Sequence, residues 1–147
     1  MSIWWSLHLR REAASVPLAR RLLLGTMETA GVDPDISFDL SVALTEACAN
    51  AVEHAGSATE YSVTAKIEGD RCRIEVADAG PGFPRDRFRH PARPLTHRGQ
   101  QSEHGRGLIL IEALVDHVHF QNRPGHGTVV SFDKVLKWRD GALLKAS

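Results

Sequence analysis

Cysteine is scarce in this chain, and so are the features that mark secreted, membrane-bound and nucleic-acid-binding proteins. Only Cys48 and Cys72 are present. Both sit in apolar segments, and they form no CxxC pair. That excludes a secreted disulfide framework and points to buried free thiols in a reducing cytoplasm. Charge of one sign is also missing. Lysine plus arginine and aspartate plus glutamate number 18 each. The balance predicts no direct nucleic-acid binding and no adhesion to a membrane surface. No apolar run approaches bilayer-spanning length. The first residues, Met1 to Arg10, have no long apolar core of a leader and run quickly into Arg10-Arg11, so no signal peptide is expected. Histidine is not rare, but HExxH is absent. His90, His97, His104, His117, His119 and His126 read as surface residues, and zinc is not expected. There is no internal repeat and no low-complexity tract. At 147 residues the chain is expected to form one domain, 1–147, with a core that needs no staples.

What is present is a clear alternation of periods. Ser2 to Arg11 alternates, with Trp5, Leu7 and Leu9 on one face, and predicts a half-buried strand. Trp4, on the polar face, is unaccounted for unless a second packed surface or a dimer contact covers it. Ser15 suits an N-cap, and Pro17 suits a first helical turn. The helix then runs to Ala30, with Val16, Ala19, Leu23 and Met27 inward and Gly31 as its stop. Asp33-Pro34 starts a second helix that runs towards Gly56. Glu60 to Glu68 and Arg71 to Asp78 alternate around Gly69-Asp70, the pattern of a hairpin. From residue 83 to about 104 periodicity disappears. Pro84, Pro91 and Pro94 punctuate a locally basic stretch that reads as a lid. A helix follows from about Leu108 to Asp116. Then come a strand at Val118 to Gln121, a turn at Arg123 to Gly127 and a closing strand from Thr128 to Leu136. The tail, about 137–147, is expected to fray.

The second helix carries Glu46, Asn50 and His54 at intervals of four, so the three side chains share one stripe. A carboxylate one turn from a carboxamide can orient a nucleophile while the amide oxygen ligates a hard cation. A solvated polar stripe has the same spacing. Leu40, Ala43, Leu44, Ala47 and Ala51 form the opposing apolar stripe, and their small size allows close packing on a sheet. Asp78 ends a strand. Its carboxylate could accept a hydrogen bond from an exocyclic amine, while Gly80 and Gly82 let the backbone approach a flat ring; an ordinary turn also uses Asp-x-Gly. Gly105 and Gly107 precede a helix whose free N–H groups favour phosphate. Neither a P-loop nor a complete GxGxxG is present. Thr128 opens the last strand and could hydrogen-bond a ring nitrogen or the Asp78 carboxylate; a threonine is also simply a good strand residue.

The order of these motifs resembles the GHKL superfamily of ATPases and kinases, with its Bergerat nucleotide-binding fold. Glu46-Ala-Cys-Ala-Asn50-Ala-Val-Glu-His54 looks like the N box. Asp78-Ala-Gly80-Pro-Gly82-Phe looks like the first glycine box, Gly105-Arg106-Gly107-Leu108 like the second, and Gly127-Thr128 like the threonine-bearing element. The resemblance spans about Leu40 to Phe132. It implies an α+β two-layer sandwich: a mixed, mostly antiparallel sheet covered on one face by about three helices, with an ATP lid. Leu44-Thr-Glu-Ala-x-x-Asn-Ala-Val-Glu-His54 is most similar to the bacterial anti-sigma-factor serine/threonine kinases. A sensor histidine kinase would need a preceding dimerisation helix, and the longer GHKL ATPases would need transducer domains.

The resemblance implies ATP and Mg²⁺ as cofactors. Asn50 would ligate Mg²⁺, and Glu46 would act as base or orienting group for a serine hydroxyl. Asp78 would read the adenine amino group, with Gly80 and Gly82 lining the base. Gly105, Arg106, Gly107 and Leu108 would hold the phosphates, and Thr128 would support Asp78. The implied partners are an anti-anti-sigma factor of the STAS type and an RNA polymerase sigma factor, with a homodimer as the functional unit. Two alternatives remain at this level: a non-catalytic ATP-binding regulatory module, and a switch kinase that binds no sigma factor.

Overall fold

The computed structural model describes residues 2–54, 58–78, 103–123 and 127–142. The elements in chain order are β1 (Ser2–Arg10), α1 (Ser15–Ala30), α2 (Pro34–His54), β2 (Glu60–Glu68), β3 (Arg71–Asp78), α3 (Glu103–Leu114), β4 (His117–Arg123) and β5 (Gly127–Val135). The strands form one sheet in the order β1-β2-β3-β5-β4. Every pairing between these strands is antiparallel. The expectation of a mixed sheet is corrected for the described strands. Each neighbouring pair in this order runs in opposite directions, and β2 and β3 meet through a two-residue turn whose Gly69 has φ 60°.

The helices lie on one face because each sheet row alternates. Trp5, Ala65, Ile74, Phe132 and Val118 are aligned across the sheet. Of these, Ala65, Ile74 and Phe132 are buried. The neighbouring row Leu7, Val63, Val76, Val130 and Phe120 repeats the pattern. Leu40, Ala43, Leu44, Ala47 and Ala51 of α2 are all buried, as their stripe predicts. Leu23 and Met27 of α1 are fully buried beside them. Area burial of this kind stabilises by about 25 cal/mol per Å² of apolar surface.

Local chemistry explains where the helices start and stop. Gly31 ends α1 with φ 91°, and its N–H reaches the carbonyls of Met27 and Glu28. Ser15 is not the N-cap: Ala14 occupies that position without a side-chain cap. Ser15 is instead the first helical residue, and its hydroxyl bonds Glu12 O and shares a hydrogen bond with Tyr61. A buried tyrosine hydroxyl needs a partner, and Ser15 supplies it. Asp33 caps α2 by accepting from Asp35 N–H at 2.8 Å. At the other end, Arg11 donates from Nε to Val52 O at 2.6 Å, satisfying a carbonyl left over in the last turn. The start of the tail is docked, not frayed. Val32 and Trp138 form a bridge, and Trp138 Nε1 donates to Asp70 at 2.9 Å.

α3 begins at Glu103, so Gly105, Arg106 and Gly107 lie inside its first turns and do not precede it. The free N–H groups at this helix start therefore belong to residues ahead of Gly107. The helix ends at Leu114, two residues before the expected Asp116. Lys134 Nζ takes the Leu114 carbonyl at 2.7 Å.

Candidate functional site

Glu46 and Asn50 face α3, and Gly107 is the point of contact. A methyl group at Gly107 would lie 3.1 Å from Glu46 Oε2 and 3.4 Å from Asn50 Oδ1. The absence of a side chain there lets α3 close on the polar stripe of α2. The structure thus brings together three of the expected site residues, from the N box and the second glycine box. Leu108, next along α3, is 3% exposed and anchors the helix in the core. It acts as a packing residue.

Asn50 is 7% exposed, and its Nδ2 has no hydrogen-bond partner among the described residues. An orphaned buried amide costs about 1–3 kcal/mol, and such groups in folded proteins normally have a ligand or a water to satisfy them. Asn50 fits a phosphate and its cation. The amide oxygen is a suitable ligand for Mg²⁺, and the amide nitrogen can donate to a phosphate oxygen.

Asp78 and Thr128 come together from a second direction. They are register partners on β3 and β5. Asp78 is also paired with Tyr61 on β2, and Thr128 with Asn122 on β4. Tyr61, Asp78, Thr128 and Asn122 therefore form one cross-sheet row. This row has the parity of the buried positions Ile74, Val76, Val130 and Phe132, so it faces the helices. Thr128 is 6% exposed, and its hydroxyl donates to Asn122 Oδ1 at 3.3 Å. Asp78 and Thr128, the pair expected to act together, are neighbours by strand register.

Tyr61 of this row belongs to a small buried polar group with Cys48 and Ser15. Burial pushes the Cys48 thiol up to about 12, against a hydrogen bond from Tyr61 that lowers it. The Tyr61 hydroxyl is also pushed up to about 12, chiefly by burial. Both groups stay neutral at physiological pH and serve as packing with satisfied polar tips. Cys72 behaves alike, at about 12 through burial and the nearby Asp133 charge. Both cysteines are free and buried.

Gly80, Gly82 and the lid positions 83–102 lie outside the described residues, as do the side chains of His54, Gly105's neighbour Arg106 and His104. Arg11 and Asn122 are the residues that sequence reasoning passed over. The continued alternation Val118, Phe120, Asn122 was the available signal for Asn122, since it carries the inward parity one step past the apolar positions. An open groove lined by Arg10, Arg11, Val52, Thr59 and Glu60 contains none of the candidate residues. No helix is long and apolar enough to cross a membrane, among the described residues.

Comparison with known proteins agrees with this geometry. Residues 9–134 match the family model of the histidine kinase-like ATPase domain. The serine-protein kinase RsbW of Bacillus subtilis is 37% identical over 116 residues, covering 75% of this chain and 72% of that protein. The RsbW kinase of Bacillus licheniformis is 39% identical over 128 residues, covering 82% of this chain and 78% of its relative. Among solved structures, the RsbU and RsbW domains of a Mycobacterium tuberculosis protein superpose with a TM-score of 0.65 at 24% identity. Full-length ShkA in complex with AMPPNP gives 0.51 at 20% identity. At those identities the two structures speak to the fold alone, and this chain spans 32% of each of them. The sheet order, the Glu46–Asn50–Gly107 contact and these relatives lead to one conclusion: the chain belongs to the histidine kinase-like ATPase domain family and is, within it, an ATP-dependent serine-protein kinase.

Proposed function

We propose that this kinase is a cytoplasmic anti-sigma factor that works as a homodimer. Its substrate is a serine or threonine hydroxyl on a STAS-type anti-anti-sigma factor, and it sequesters an RNA polymerase sigma factor when that antagonist is phosphorylated. The observation that carries the reading is the closure of Gly107 on Glu46 and Asn50. It places a carboxylate and a buried amide side by side at the start of a helix, where a nucleotide's phosphates are favoured.

The residues divide the work. Asp78 accepts from the adenine amino group, and Gly80 and Gly82 are assigned to the same base-binding part. Gly105, Arg106 and Gly107 hold the phosphates, while Leu108 fixes α3 to the core. Asn50 holds the metal ion and donates to a phosphate oxygen. When bound, Mg²⁺ neutralises phosphate charge. Glu46 accepts a hydrogen bond from the incoming hydroxyl and aims it at the γ-phosphorus. Phosphoryl transfer asks chiefly for positioning and charge neutralisation, so this small set is sufficient.

The test is phosphate transfer from labelled ATP with Mg²⁺ to a STAS-type antagonist. Wild type labels the antagonist. Glu46→Ala binds ATP but loses transfer by about 10²-fold or more, the usual weight of a well-placed acid–base group. Equal transfer by both proteins removes Glu46 from the chemistry. ATP binding without any transfer reduces the protein to a regulatory binding module. Co-purification with a sigma factor separates the anti-sigma role from that of a kinase alone.

A further inference from the structure

The row Asp78–Thr128–Asn122 has a hydrogen-bond polarity. The Thr128 hydroxyl has one proton, and that proton is directed at Asn122 Oδ1 at 3.3 Å. Towards its other side the hydroxyl can then offer only lone pairs. Asp78, its register partner, is acceptor-only when ionised. The two groups together form an acceptor surface.

We propose that Asn122 is a positioning residue for base selection: by holding the Thr128 proton, it makes the row accept 6-amino purines and reject 6-oxo purines. The inference rests on the reading that Asp78 and Thr128 meet the adenine edge. An exocyclic amine has two hydrogens to donate to two acceptors. A 6-oxo group presents lone pairs to lone pairs, a mismatch left unpaired in a partly buried site. With Asn122 lost, the Thr128 hydroxyl is free to turn and donate to that oxygen. Asn122 stands in the row of Asp78 and Thr128, so its effect falls on base choice.

The experiment compares binding of ATP and inosine triphosphate to the full chain by calorimetry. Wild type prefers ATP. Asn122→Ala narrows the ratio of the two dissociation constants by about tenfold, the weight of one hydrogen-bond mismatch. Asn122→Asp keeps an acceptor at the same place and restores the wild-type ratio, since its added charge acts on both triphosphates alike. A melting curve accompanies each variant. If the alanine protein melts early, Asn122→Val, apolar and well suited to a strand, takes its place. A merely structural role would weaken both nucleotides together and leave the ratio unmoved, and that result overturns the assignment to Asn122 alone. If wild type itself fails to distinguish the two, the base does not lie on this row, and the assignment falls with that reading.

Discussion

Gly107 illustrates how much one missing methyl can decide. In a helix interior, alanine is favoured over glycine by about 1 kcal/mol. Here the added carbon would press on Glu46 Oε2 at 3.1 Å. The carboxylate is the far end of a flexible side chain, so it can move aside and the fold survives. The two effects therefore separate. Gly107→Ala should melt at or above the wild-type temperature, yet, on the role proposed for Glu46, transfer phosphate at least tenfold more slowly, because the displaced carboxylate no longer aims the hydroxyl. A parallel fall in melting temperature and activity would assign Gly107 to stability only. The cysteines make a second residue-scale case. Burial pushes both thiols up to about 12, so neither presents a thiolate near neutrality. A thiol reagent at pH 8 should label neither cysteine in the folded protein and both after denaturation. Rapid labelling of the native chain would contradict the burial of Cys48 and Cys72.

At the scale of elements, most of what the periodicity predicts is present. β2 and β3 have the expected bounds, and the turn between them has glycine where φ is positive. The α2 stripe reads directly from its spacing, since a period of 3.6 needs no partner to be recognised. What pattern reading misses are decisions made by distant partners. Ser15 looks like a cap, but Tyr61, 46 positions away, claims its hydroxyl. Trp138 looks like the beginning of a loose tail, but Asp70 holds its ring nitrogen. The start of α3 falls earlier than its apolar pattern suggests, because its first turn is polar and carries no periodic signal. Two predictions belong here. Gly25 lies within α1 with open space around it, so Gly25→Ala should stabilise the protein by about 0.5–1 kcal/mol in a denaturant titration. An unchanged or lowered midpoint would contradict that. Across β3, β5 and β4, Asp133 pairs with Arg71 and His117. Burial alone would raise its pKa, but hydrogen bonds and charge from His117 and Arg71 outweigh it and hold the carboxyl below the ordinary range. A depressed carboxylate contributes stability above the unfolded-state value of about 3.9, and that contribution is lost as pH falls through the folded value. Asp133→Asn should therefore melt below wild type at pH 7, with the gap closing as pH drops below about 4. A gap that persists in acid would assign the effect to packing.

For the whole molecule, the proposed function assigns the base to the sheet and the phosphates to the helices. Asp78, Thr128 and Asn122 lie in one row at one end of the strands. Glu46, Asn50 and Gly107 lie where α3 closes on α2. The order of motifs along the chain pointed to both groups, because each box has its own residue types. Their convergence is a property of the fold: β3 and β5 are 50 residues apart in sequence at the pair Asp78 and Thr128, yet neighbours in the sheet. Asn122 joins them through its pairing with Thr128 across β4 and β5, which the order of motifs does not show.

The central claim is that the polar stripe of α2 faces the phosphate tail of ATP, with Asn50 at the metal. Calorimetric titration of ATP into wild type and Asn50→Ala, in Mg²⁺ and again in EDTA, tests it most directly. Wild type should bind more tightly in Mg²⁺ than in EDTA. Asn50→Ala should lose about tenfold or more of its affinity in Mg²⁺, the weight of one charge-assisted contact, and much less in EDTA. An equal loss in both conditions, or none in either, would contradict the placement of Asn50 at the metal and turn the stripe back into an ordinary polar face.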